Sequence, residues 1–513
     1  VGFLEICNNF RDHSNLFKMK FPSALSILLI ITAVVAVSTW FIPSGNFANL
    51  TYNSENEKFI ITSTEGTQVL PATTYTLDSL NVKIPLDKFT GGDIYKPINI
   101  PGTYHSVEEQ PQGFFKFAMA PIKGIINAAD IIFLVLIIGG LIGIINLTGA
   151  FTAGIAWLAK ALKGREYLLI IITTTLVALG GTTFGFAEET LPFYLILVPV
   201  FIAAGYDAMV GLASIFLGSV VGTMCSTINP FSTIIASDSA GILWTTGLTG
   251  RIIMWVVCVT LSILFILHYA KKVKRDPSAS ILRKQNEMLK EYFGVNAVRE
   301  VPALNLRRIL ILIVFISCFA VMIIGVSLFE WWFIEMTSTF FVGALIIGLI
   351  YRINEGKFAE EFIKGAGDLL GVAFIIGIAR GISILMDDGM ISDTLLYHAS
   401  SVTEGLHQGV FINTLLFIYS GLSFLIPSSS GMAVLTMPIF APLADTADLG
   451  REIIVNAYLY GMGLFHIINP TGLILPSLAI VKVGYDRWLK FVWPLLVILL
   501  VVTMISLTLQ VYL

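Results

Sequence analysis

A chain of 513 residues that is 56% hydrophobic and 13% charged, with a mean hydropathy of +0.84, lies far outside the soluble range. Its 31 basic side chains against 34 acidic ones form no basic patch for nucleic acid, and Cys7, Cys225, Cys258 and Cys318 have neither metal-ligand nor redox spacing. The composition specifies an all-α polytopic membrane protein, with lipid as its first partner and no cofactor implied.

Residues 1–21 form a polar leader to which no structural role is assigned. The first spanning helix is expected over residues 22–43, and Arg11, Lys18 and Lys20 before it place its N-terminus in the cytoplasm. Residues 44–113 then turn polar, with eight acidic side chains against four lysines. The alternation in TQVLPATTYTLDSLNVKIPL suggests a small strand-containing cap outside the cytoplasm. Shielding the outer face is its simplest role, and capture of substrate is the rival.

Residues 114–270 read as a first repeat. A spanning helix lies in PIKGIINAADIIFLVLIIGGLIGIINLTGAF, followed by a re-entrant helical hairpin with arms Tyr167 to Gly185 and Leu191 to Ala204, a helix broken at Asn229-Pro230, and a closing helix. A full crossing followed by a separate segment also fits the length of the first arm. Residues 271–308 hold ten basic side chains against four acidic ones and belong in the cytoplasm. Residues 309–352 supply two connecting helices, with Trp331 and Trp332 marking the outer interface. Residues 353–513 repeat the pattern: FIKGAGDLLGVAFIIGIARGISILMDDGM answers the first spanning helix, the arms run from Phe411 to Ile426 and Met432 to Leu443, and the break falls at Asn469-Pro470. One copy starts outside and the other inside, which is the signature of inverted-topology repeats and leaves Leu513 outside the cytoplasm.

Both repeats carry the same punctuation. Glu188, Glu189 and Thr190 precede Asn229 as Ser428, Ser429 and Ser430 precede Asn469, at equal separation and about 240 residues further on. Paired polar interruptions of this kind point to a midplane cargo site. Two carboxylates at membrane depth demand a cation, a proton or water, so Glu188 and Glu189 can hold a cationic group or a coupling proton, unless the tip is an ordinary solvated turn. Hydroxyls and unpaired N–H groups at a helix start suit a carboxylate, although the serines can also serve merely as helix caps. Each Asn-Pro frees backbone carbonyls. With Ser226, Thr227, Asn229, Ser232, Thr233, Asn469 and Thr471 nearby, these carbonyls can ligate Na⁺ or bond substrate; a plain proline kink is the rival. Arg380 lies near mid-membrane and can clamp a carboxylate or pair with Asp387 and Asp388. His466 is either a satisfied bundle residue or a proton relay.

HExxH, GxSxG and P-loop patterns are absent from the sequence, which argues against an intramembrane enzyme and an ATP-driven pump. Paired interruptions also suit alternating access better than an open channel.

The stretches TWFIPSG, IPGTY, PQGFF, FAEETLPFY, STINPFST, ARGISILMDDGMISDTLL, IPSSSGMAVLTMPIFAPLAD and WLKFVWPLL resemble the anaerobic four-carbon-dicarboxylate carrier family in its YfcC-like branch, within the ion-transporter superfamily, from about Met19 onward. The resemblance implies a secondary carrier of a bacterial cytoplasmic membrane, often a homodimer, working by elevator-like movement. Relatives in this branch look like basic amino acid exchangers, whereas the wider family name refers to dicarboxylates coupled to Na⁺ or H⁺. Met432 and Met462 stand where such relatives carry polar groups, so the cargo stays open between an amino acid and a dicarboxylate.

Overall fold

The computed structural model describes residues 22–64, 66–92, 94, 96–161, 163–293, 302–329, 331–403 and 405–512; the leader and the terminal Leu513 lie outside them. It is predominantly helical, with 22 α-helices among the described residues, eight of them long and apolar enough to cross a membrane. The first helix, α1, covers Ala24–Ser38. It is shorter than residues 22–43 because Ser23 caps it and Thr39 closes it.

Residues 44–113 carry six strands: β1 (Gly45–Asn46), β2 (Asn49–Asn53), β3 (Lys58–Ser63), β4 (Gly66–Pro71), β5 (Ile98–Asn99) and β6 (His105–Ser106). They form an antiparallel sheet in the order β4-β3-β2-β5 and a separate β1-β6 pair. The alternating stretch that suggested strands is strand only as far as Pro71, and after β4 come two short helices, α2 (Thr74–Ser79) and α3 (Leu86–Thr90). The Thr73 hydroxyl accepts from the Thr76 N–H at 3.2 Å, and this N-cap starts α2 within a sequence that alternates like a strand. Phe59 and Phe89 meet edge-to-face beneath the sheet.

Each stretch read as one spanning helix is a helix pair. In the first half α4 (Phe114–Asn127) stops at Ala128 before α5 (Ala129–Thr148); in the second, α15 (Glu355–Asp368) stops at Leu369 before α16 (Leu370–Asp388). The pairs cross-pack, α4 on α16 and α5 on α15. A Cβ on Gly124 would collide with the Gly377 carbonyl, and one on Gly381 with the Ala120 carbonyl, so this close crossing depends on glycine.

Between these pairs lie α6 (Ala150–Ala161), α7 (Tyr167–Phe184), α8 (Leu191–Ala203), α9 (Ala208–Met224), α10 (Ile235–Ser239), α11 (Leu248–Arg275), α12 (Asn286–Tyr292), α13 (Leu306–Phe329) and α14 (Phe333–Tyr351). After them come α17 (Ser392–Ser401), α18 (Gln408–Leu425), α19 (Ser429–Thr446), α20 (Arg451–His466), α21 (Ile474–Val481) and α22 (Tyr485–Tyr512). The contacts of one set are echoed in the other: α7 packs on α9 and α11 as α18 packs on α20 and α22, while α10 meets α19 as α21 meets α8. The two innermost helices, α9 and α20, are buried along most of their length and touch each other.

Candidate functional site

The acidic tip forms because α7 cannot run on into α8. Gly185 closes α7 in the left-handed region at φ +76°, where an added Cβ would also lie 2.8 Å from the Asn229 amide. A short 3₁₀ turn, Glu188–Thr190, then leads into α8, whose second residue is Pro192. The serine tip has a different construction. Helix α18 ends at Ile426 with φ −116°, and Ser428 starts α19 by accepting the Gly431 N–H at 3.1 Å.

The two Asn-Pro breaks share one hydrogen-bond scheme. Asn229 Nδ2 donates to the Gly181 carbonyl at 3.4 Å and its Oδ1 accepts the Phe231 N–H at 2.8 Å. Asn469 Nδ2 donates to the Ser423 carbonyl at 3.0 Å and its Oδ1 accepts the Thr471 N–H at 3.0 Å. In each half the asparagine ties the broken helix to the end of α7 or α18, and the proline removes the N–H that would otherwise continue the ladder.

Tips and breaks surround one cavity of about 400 Å³. Glu188, Glu189, Asn229, Ser232, Arg380, Ser428, Ser429, Ser430 and Thr471 all line it. Thr190, Asn469, Ser226 and Thr227 do not. The Thr190 hydroxyl turns back to the Ala187 carbonyl at 2.6 Å, and Asn469 is fully buried in its clamp. Ser226 belongs to a buried hydroxyl cluster in which its Oγ meets Ser232 Oγ at 3.2 Å and Thr233 Oγ1 more closely. Thr227 bonds to Thr182 through its N–H at 2.9 Å and its hydroxyl at 3.1 Å.

Neighbouring residues on each tip have separate tasks. Glu189 Oε2 accepts the Ala187 N–H at 3.0 Å and braces its own turn. Glu188 faces the cavity together with Asp130. On the serine tip, Ser428 serves as the cap, Ser430 Oγ accepts from Lys96 Nζ at 2.6 Å, and Tyr458 holds the Ser429 carbonyl at 2.8 Å.

Arg380 donates from Nε to Asn127 Oδ1 at 2.6 Å, while Asp388 pairs with Lys123 at 2.5 Å and Asp387 accepts from Ser392 at 3.2 Å. Asp387 and Asp388 sit about two turns beyond Arg380 at the end of α16, on the order of 10 Å along the axis, so these bonds replace the ion pair weighed from sequence. His466 reaches the cavity wall, and its buried Nε2 makes no hydrogen bond among the described residues.

Lys96, Asn127, Asp130, Trp331 and Trp332 also line the cavity without having been singled out as site residues. The tryptophans, expected at an outer interface, also wall the site, with Trp332 against Phe231 at 5.3 Å. Asp130, a lone acid in the apolar stretch after Asn127, was the one available signal. Lys96 meets Ser430 across 334 residues of sequence, and no local pattern announces such a pairing. Burial and the nearby Arg380 guanidinium lower the Lys96 ammonium below the usual lysine range. The cavity therefore has a cationic side, Lys96 and Arg380, and an acidic set, Asp130, Glu188 and Glu189.

The family described as C4-dicarboxylate anaerobic carrier matches residues 21–512. A Haemophilus influenzae protein described as an uncharacterized protein is 43% identical over 495 residues, which cover 96% of this chain and 97% of that protein. The Escherichia coli protein named "Putative basic amino acid antiporter YfcC" is 29% identical over 487 residues, 91% of this chain and 92% of that one. Among solved structures, the chain is similar to Neisseria gonorrhoeae MtrF, whose structure is titled for a class of antimetabolite efflux pumps, at a TM-score of 0.39 and 13% identity, with 98% of each chain covered.

Proposed function

This chain belongs to the C4-dicarboxylate anaerobic carrier family and is a multi-pass membrane transporter, not an enzyme; on that premise we propose that it is a secondary carrier of small carboxylate-bearing metabolites, with amino acids of the basic type as its cargo. The observation that carries this reading is the two-signed cavity. A cargo carboxylate fits Lys96, Arg380 and the start of α19, and its cationic groups fit Glu188, Glu189 and Asp130. A four-carbon dicarboxylate would have to turn one carboxylate toward the acids. The name of the Escherichia coli relative agrees with this cargo class.

The architecture supports a carrier cycle. Helix interruptions at Ala128 and Leu369, tips at Glu188 and Ser428, and breaks at Asn229 and Asn469 recur about 240 residues apart, and the reciprocal packing of α4 on α16 and α5 on α15 is what inverted-topology repeats produce. In this reading the tips are re-entrant, the strand-bearing residues 44–113 lie outside the cytoplasm, the N-terminus lies inside and the C-terminus outside. The carrier sits in a bacterial inner membrane as a homodimer and moves its cargo by an elevator-like step. Ser226, Thr227, Asn229, Ser232 and Asn469 supply the oxygen-rich surroundings for a coupling Na⁺, and Glu188 is the alternative carrier of a coupling H⁺. A second reading, an Na⁺- or H⁺-coupled dicarboxylate carrier, is favoured by the two cations on one side of the cavity.

Uptake into proteoliposomes decides between them. Labelled arginine should exchange against internal ornithine, and Glu188→Gln should abolish that exchange while leaving the melting temperature near that of the parent. Unchanged exchange removes Glu188 from the site. Uptake of succinate or fumarate with no response to arginine, lysine or ornithine selects the dicarboxylate reading.

A further inference from the structure

The cavity has an aromatic wall that its charged groups leave unexplained. Phe231, Trp331, Trp332 and Phe333 line it together with the acidic set. Phe231 follows the Asn229-Pro230 break, whereas the other rings come from the corner where α13 passes into α14. The Trp332 ring lies 5.3 Å from Phe231, tilted against it, and 5.3 Å from Phe333, edge-on. One break and one corner, a hundred residues apart in sequence, thus build a single aromatic surface.

The corner holds its rings in place. An added Cβ on Gly325 would collide with the Trp331 ring, and the Trp331 N–H donates to the Gly325 carbonyl at 3.2 Å, so the indole is seated on a glycine of α13. The Trp332 N–H donates to Glu335 Oε2 at 3.0 Å at the start of α14, and the residue stays half exposed. Anchoring a helix at a membrane interface requires only that an indole reach the headgroups, not that it form part of a cavity wall. Carboxylates stand close by: α14 packs on α5, whose first turn carries Asp130, and Glu189 shares a small crevice with Met322 and Ile323 of α13. An aromatic face carries partial negative charge and attracts a cation, so rings and acids here favour the same kind of group. They do not favour all cations equally. A guanidinium is planar and weakly hydrated and stacks on an indole, while an ammonium is a compact, strongly hydrated point charge.

We propose that Trp331 and Trp332, with Phe231, bind the cationic end of the cargo by cation–π contact and make the carrier select a guanidinium over a primary ammonium. This inference rests on the basic-amino-acid reading above and adds a choice within that class. The acids supply the counter-charge, and the indoles decide which cation meets it.

Purified protein tests this by thermal shift against arginine, lysine and citrulline, the last having the shape of arginine without its charge. The parent chain should bind arginine most tightly, lysine less so and citrulline least. In Trp331→Leu and Trp332→Leu arginine should bind roughly 2- to 30-fold more weakly, the range of one lost cation–π contact, and the preference for arginine over lysine should collapse. Trp332→Phe, which keeps an aromatic face, should retain most of that preference. Trp157→Leu, at an exposed tryptophan of α6 away from the cavity wall, should leave it intact. Melting temperatures without ligand report whether each variant is folded; should Trp331→Leu unfold, the Trp332 variants decide alone. A preference retained in the leucine variants, or lost equally in Trp332→Phe, overturns the role of the indoles. A parent chain that binds lysine as tightly as arginine overturns the selection of guanidinium and leaves the basic-amino-acid reading standing. A parent chain that responds to neither overturns both.

Discussion

The two halves of the chain agree at their breaks and differ at their tips. Asn229 and Asn469 make the same pair of bonds, one to a carbonyl near the end of the preceding helix arm and one to the N–H two residues on. Glu188 and Ser428 occupy matching positions, yet one presents a carboxylate and the other a helix cap. The breaks hold backbone that would otherwise carry unpaired polar groups in a membrane, a requirement with one solution in both halves. The tips face the cavity, where two copies of one charge would suit only a symmetrical ligand.

The breaks should therefore be the most sensitive to substitution. Asn469 is fully buried and its Oδ1 also accepts from the Thr471 hydroxyl at 2.7 Å, whereas one of the Asn229 bonds stretches to 3.4 Å. Asn469→Ala should cost about 2–4 kcal/mol by stranding buried partners, and Asn229→Ala about half of that. Thermal unfolding in detergent measures both, and equal losses would show that the second clamp is no tighter than the first.

Next comes the turn into the acidic tip. Gly185 holds φ +76° against the Asn229 amide, while the serine tip leaves α18 through Ile426 at φ −116°, which any L-residue adopts. Gly185→Ala should cost about 1–2 kcal/mol, the strain of a left-handed alanine. An Asn229→Ala background should relieve only what the contact with the amide adds and leave this backbone strain in place; strictly additive losses would assign the whole cost to φ. On the other tip, Ser428→Ala removes a hydroxyl cap and should cost about 1 kcal/mol.

The parts legible in sequence are those written in local chemistry. Proline after asparagine announces a lost donor, acids and serines among apolar residues announce a cavity, and apolar runs announce helices. The interruptions at Ala128 and Leu369 carry neither proline nor glycine, and they arise where α4 crosses α16 and α15 crosses α5. The helix at Thr74–Ser79 was hidden by alternation, although Thr73 was there as its cap. Lys96 looked like any lysine of a polar loop, since its partners Ser430 and Arg380 come from the second half of the chain. What sequence withheld was thus the long-range geometry that turns two tips and a loop into one site.

The smallest expected effect lies where each half fastens the start of its first arm to the end of its closing helix. In the first half Glu166, capping α7, pairs with Lys274 near the end of α11 at 2.9 Å; in the second, His407, capping α18, meets the Tyr512 hydroxyl at the end of α22 at 3.2 Å. The position is shared and the chemistry is not, so only the first fastening should respond to acid through a carboxylate. The Lys274 ammonium and backbone N–H groups hold the Glu166 carboxyl down to about 2. A carboxylate lowered in the folded state contributes stability that is full above its ordinary value near 4.5 and is lost as pH falls toward 2. The pair is partly exposed, and solvent screening keeps its worth below about 1 kcal/mol. Lys274→Met should therefore lower the melting temperature slightly at pH 7 and flatten its decline between pH 5 and pH 3, while Tyr512→Phe should leave that decline unchanged. An acid limb that is identical in Lys274→Met and the parent would mean that the first half is fastened, like the second, without the help of charge.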